Sequence, residues 1–155
     1  MTGQTWQPAF RRGERFEETV LGPGGDMPRA ADKDAMRDYQ VGYYQTFDPT
    51  LGPPLIAGPV GAGFNTILRL EVRSGKLTSF HPDGASTVQE HFHVPSRTPE
   101  HEGYLAFIVD RHAESLSELF ILEAGHIEKG PVARVKVPLR LRVGVHGNWI
   151  PAGAV

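Results

Sequence analysis

Hydrophobic and polar residues alternate along this chain in short runs that rarely reach helix length. Residues 64–72 (FNTILRLEV) alternate from Ile67 on, pass through the turn RSGK and return as LTSF, the pattern of two paired strands. Residues 41–47 (VGYYQTF) are aromatic and extended, and residues 90–94 (EHFHV) and 132–139 (VARVKVPL) read as further strands. Residues 103–110 (GYLAFIVD) are almost continuously apolar, which predicts a strand buried on both faces. Across the polar loop RHAESLS it pairs with residues 117–124 (SELFILEA) as a hairpin. Residues 14–21 (ERFEETVL) alternate partially. Helical periodicity is confined to residues 32–39 (DKDAMRDY) and to one turn around Ile127, closed by Gly130. Residues 50–63 (TLGPPLIAGPVGAG) form a Pro/Gly-rich loop too irregular for a ladder.

Strands separated by polar turns predict an all-β fold with antiparallel sheets: a sandwich, a barrel or a propeller. With 155 residues the chain has the length of one ordinary domain, and its 18 glycines and 13 prolines suit many turns. A net charge of −2 argues against a nucleic-acid or anionic-membrane surface. The absence of cysteine removes disulfides, thiolate metal sites and cysteine nucleophiles. No signal-like apolar run opens the sequence and no stretch approaches a transmembrane length, so the expectation is a cytoplasmic protein.

Seven histidines direct attention to imidazole chemistry. His91 and His93 would project from one face of a strand, and with His101 they could form a metal site. The simpler reading is two surface residues on a solvated strand face. His81, His112 and His126 read as exposed polar residues without partners nearby in sequence. His146, in RLRVGVHGNW, lies beside Gly147 and near Gly144, residues that permit close backbone approach. On spacing alone it reads more readily as a satisfied core histidine than as a ligand. Walker-type glycine loops, G-x-S-x-G and H-E-x-x-H are absent from the sequence.

The stations EGYL, SELFILEA, GPVARVKVP and HGNW, in that order, resemble the closing segment of the carotenoid cleavage oxygenase family. GGDMPRAAD resembles the family's E-F-P-R-x-D station, and QEHFHVPSR its E-P-x-F-V-P-R station. The match is strongest over residues 26–151, and the ending LRLRVGVHGNW looks most like the lignostilbene dioxygenase branch. The resemblance implies a seven-bladed β-propeller with Fe(II) on its axis, held by four histidines, which activates O2 to split an alkene into two carbonyl fragments. Carried onto this sequence, His146 matches the last iron ligand and Glu90 a glutamate that orients a ligand. Asp26 stands where another such glutamate sits, one methylene shorter, while His91 and His93 replace a proline and a phenylalanine. The family's other three histidine ligands lie upstream of anything matched here. Residues 1–155 are therefore expected to be the closing blades of such a propeller, inactive alone and paired with a complementing upstream segment or with another copy. The expected substrate is an apolar conjugated alkene, a stilbenoid or apocarotenoid, in a tunnel lined partly by Phe64 and Trp149. The competing expectations are a non-catalytic β-module and a self-sufficient metal-binding β-sandwich built on His91, His93 and His101.

Overall fold

The computed structural model describes residues 19–55, 63–83, 85–144 and 146–153. Strands β1 (Asp26–Arg29), β2 (Val41–Thr46), β3 (Thr66–Glu71) and β4 (Lys76–Phe80) form an antiparallel sheet in chain order. A second antiparallel sheet is built on β7 (Tyr104–Arg111), β8 (Leu116–Glu123) and β9 (Pro131–Lys136). Its first strand is broken: β5 (Ser86–Val88) pairs with the far end of β7 and β6 (Phe92–Val94) with its beginning. Residues 89–91 between them leave the ladder, although the Gln89 N–H still donates to the Ile108 carbonyl at 2.8 Å.

Both sheets contribute to one core. Ile67 from β3 joins Leu105, Phe107, Val109 and Leu122 from the central hairpin, all with no exposed surface. The Phe80 ring of β4 lies 6.2 Å from both Phe107 and Phe120, so aromatic contacts bridge the sheets. Each such side chain contributes about 1.5–3 kcal/mol by leaving water. The continuously apolar reading of β7 holds: only Tyr104, Ile108 and Arg111 of this strand are less than fully buried.

The 32–39 helix does not form. Only Asp32–Asp34 makes a 3-10 turn, and Met36 is fully exposed at φ 61°, so the segment has no apolar stripe to bury. The turn around Ile127 does form: Ala124–Lys129 is 3-10, Ile127 is buried, and Gly130 at φ 83° ends it. Residues 14–18 of the partially alternating run lie outside the described residues, and 19–21 form no strand. Residues 56–62 of the Pro/Gly-rich loop also lie outside them. Strand β1 carries no alternation signal because Met27 sits at φ 55° and the register shifts between Asp26 and Arg29. Among the described residues, no helix is long and apolar enough to cross a membrane.

Candidate metal-ligand site

The break between β5 and β6 frees the side chains of Gln89 and Glu90 to bind the C-terminal segment. Gln89 Oε1 accepts from the Gly144 N–H at 2.9 Å, while its Nε2 donates to the Arg142 carbonyl at 3.4 Å and to Asp110 Oδ2 at 2.8 Å. Ser117, opposite Asp110 in the hairpin, donates to Asp110 Oδ1 and accepts from the Leu141 N–H at 2.9 Å. A Cβ on Gly144 would stand 3.2 Å from Gln89 Oε1, so a glycine suits this close approach.

One residue further along, Glu90 Oε2 accepts from the Gly147 N–H at 2.6 Å and lies 3.3 Å from His146 Nδ1. Arg29 Nη2, reaching over from β1, donates to the Gly147 carbonyl at 3.1 Å and stands 3.6 Å from Glu90 Oε1. The carboxylate is mostly buried, at 11% exposed, whereas the imidazole is 78% exposed. His146 is therefore not a core histidine. Its Nδ1 faces a carboxylate and its ring opens to the outside, an arrangement that favours Nδ1–H and leaves the Nε2 lone pair available. Asp26 shares β1 with Arg29 but is exposed, and its carboxylate accepts from the Met27 N–H at 2.7 Å.

His91, His93 and His101 do not converge. His91 and His93 do share a face, but it is the buried one, at 0% and 5% exposed, with both rings beside Tyr43. The solvated-face reading therefore fails. His93 Nε2 is 2.7 Å from the Glu102 carbonyl. His101 is tied by Nε2 to Glu123 at 3.1 Å and by Nδ1 to the Gly103 N–H at 2.9 Å. Neither ring nitrogen of His91 has a hydrogen-bond partner. Burial, and then the positive charge of Arg29, push this imidazole down to about 4, against a smaller opposing influence from the Tyr43 backbone. Among the described residues, which include all seven histidines, no three His, Asp or Glu side chains are grouped to hold a metal. The self-contained metal sandwich is overturned on this geometry, because His93 and His101 are committed elsewhere.

Of the remaining histidines, His81 and His126 are exposed as expected, but each has a partner nearby in sequence: His81 Nδ1 is 3.2 Å from the Pro82 carbonyl and His126 Nδ1 3.4 Å from Glu128 Oε1. His112 is half-buried and lies 2.9 Å from Thr87 Oγ1, a partner its place in the hairpin loop concealed. Trp149 lines an apolar recess of about 330 Å3 with Phe92, Val94, Tyr104, Ala106, Leu119 and Ile121. Phe64 is not part of that recess; it packs on the core between the sheets. The residues that the sequence did not single out are Arg29, Gln89, Asp110 and Ser117. For Asp110 and Ser117 a signal existed, since they are polar residues facing each other across the hairpin where its apolar runs give way to the polar loop.

The family described as RPE65, retinal pigment epithelial membrane protein, matches residues 3–151. The chain is similar to lignostilbene-alpha,beta-dioxygenase isozyme III of Sphingomonas paucimobilis, 32% identical over 130 residues, or 82% of this chain and 26% of that protein. It is 38% identical over 91 residues to isoeugenol monooxygenase of Pseudomonas nitroreducens, covering 57% of this chain and 19% of the relative. The crystal structure of Pseudomonas brassicacearum lignostilbene dioxygenase superposes with a TM-score of 0.72 at 32% identity, over 83% of this chain and 27% of that one. The chain thus spans about a quarter of the length of the lignostilbene dioxygenases it matches. With the family matched over nearly its whole length, this chain belongs to the RPE65/carotenoid cleavage oxygenase family.

Proposed function

We propose that this chain is the C-terminal part of a non-heme Fe(II) dioxygenase that cleaves a C=C bond of a stilbenoid or carotenoid-type substrate with O2, and that His146 supplies one iron ligand. The observation that carries this reading is the 3.3 Å approach of His146 Nδ1 to Glu90 Oε2, with the ring otherwise open. A metal-binding histidine commonly donates its second N–H to a carboxylate, which fixes the tautomer and the ring plane. The donor set fits Fe(II) as one arm of a site, since neutral imidazole suits this metal and a cysteine-free chain has no thiolate to offer. It does not fit as a complete site, because metal affinity needs several ligands placed together. The other three ligands belong to polypeptide outside this chain, and the isolated chain is inactive. Bound there, Fe(II) would supply the activation of O2 for addition across the alkene.

This chain's own residues do the positioning. Glu90 orients the imidazole, and Gln89 and Ser117 hold the segment that carries it. Two antiparallel sheets, each with sequentially paired strands, suit two successive propeller blades, the second with its first strand broken into β5 and β6. The remaining blades would be a complementing upstream segment or a second copy.

The test is reassembly. The chain is mixed with the upstream portion of a lignostilbene dioxygenase and Fe(II), and a stilbene is assayed for conversion to two aldehydes. Cleavage with the wild-type chain and none with His146→Ala is the expected result; equal cleavage with both would refute the assignment.

A further inference from the structure

We infer that Arg29 is a positioning residue for His146: held against Glu90 and the Gly147 carbonyl, its guanidinium keeps the imidazole in the Nδ1–H tautomer with Nε2 free. This rests on His146 being the metal-presenting residue proposed above. Glu90 Oε2 accepts from the Gly147 N–H at 2.6 Å, and His146 Nδ1 approaches the same oxygen to 3.3 Å. Arg29 Nη2 stands at the opposite oxygen, 3.6 Å from Oε1, too long for a hydrogen bond and close enough to act as a charge. The side chains are 24% and 11% exposed, so water screens the pair incompletely.

The same Nη2 donates to the Gly147 carbonyl at 3.1 Å. Gly147 is therefore gripped at its N–H by Glu90 and at its C=O by Arg29, immediately beside the imidazole. Arg29 comes from β1 in one sheet and Glu90 from the break in the other, so the ring is fixed only when the two sheets are docked. Without the Arg29 charge nothing holds Oε1, and the carboxylate is free to turn about its Gly147 hydrogen bond and away from Nδ1.

Nitrogen-15 NMR of the imidazole rings in the labelled full chain, at mildly alkaline pH, reads the tautomer directly. His146 is identified by the signals lost in His146→Gln. The wild type is expected to show Nδ1–H alone. Arg29→Gln, which removes the charge and shortens the side chain, is expected to give a mixture of tautomers; Arg29→Lys, which keeps the charge, is expected to retain Nδ1–H. A wild-type tautomer in Arg29→Gln, or a mixture in Arg29→Lys, overturns the inference, and the lysine variant decides alone if the glutamine variant does not fold. Glu90→Ala separates the two levels. If it mixes the tautomers while Arg29→Gln does not, only the role of Arg29 fails. If it leaves Nδ1–H unchanged, the Glu90–His146 reading fails as well.

Discussion

The Gln89 amide donates to Asp110 Oδ2 at 2.8 Å inside the protein, while the other end of the same amide holds the Gly144 backbone. Asp110 is 3% exposed. Gln89→Ala removes a partner from this buried carboxylate and releases the C-terminal segment. The expected cost is about 1–3 kcal/mol in denaturant unfolding. Gln89→Glu sets a second carboxylate against the first and is expected to cost at least as much, despite being nearly isosteric. A Gln89→Glu variant as stable as the wild type at neutral pH would disprove the polar clamp.

Phe107 has no exposed surface and its ring lies 6.2 Å from Phe80 and 6.1 Å from Phe120. Phe107→Ala opens a cavity where the two sheets meet, with an expected loss of about 3–5 kcal/mol. Urea unfolding with an unchanged m-value would measure it. A loss below about 1 kcal/mol would mean that the sheets do not share this core.

His91 gives the pH dependence. Its folded-state value is pushed down to about 4, below the ordinary 6.5, by burial and then by Arg29. Between these two pH values the unfolded chain binds a proton that the folded chain does not, so stability falls as the solution is acidified through this window. The contribution is at most about 3 kcal/mol, complete near pH 4. His91→Leu removes the proton uptake, and it leaves no buried partner unsatisfied because both ring nitrogens lack one. Stability curves of wild type and variant are expected to diverge between pH 6.5 and 4 and run parallel above. Parallel curves throughout would contradict the buried, neutral ring.

The longer strands with a buried face were legible, whereas β5, buried throughout but only three residues long, was too short to show a period. β2, β3, β7 and β8 fall where alternation or a continuous apolar run places them, because burial imposes its period on the residues. β1 was not legible, since a proline, a positive φ at Met27 and a register shift erase the period. The candidate site was legible at His146 and Glu90 through family stations, and His93 was misread for a physical reason. A histidine on a strand gives the same pattern whether its ring meets a metal, water or a backbone carbonyl, as it does at Glu102. Arg29 lies 61 and 118 positions from the residues it touches, Glu90 and Gly147, so no local pattern could pair them.

In the proposed role, His146 contributes one ligand to a metal site that other polypeptide completes. Anaerobic Fe(II) titration of the isolated chain, and of the chain reassembled with an upstream segment carrying the other ligands, decides this. His146→Ala belongs beside both, because the ring is 78% exposed and its removal should change stability by no more than about 0.5 kcal/mol. The expected result is no stoichiometric iron on the isolated chain, one iron per reassembled protein, and loss of that iron in His146→Ala. Tight one-to-one binding by the isolated chain, or full iron retention after reassembly with His146→Ala, would contradict it.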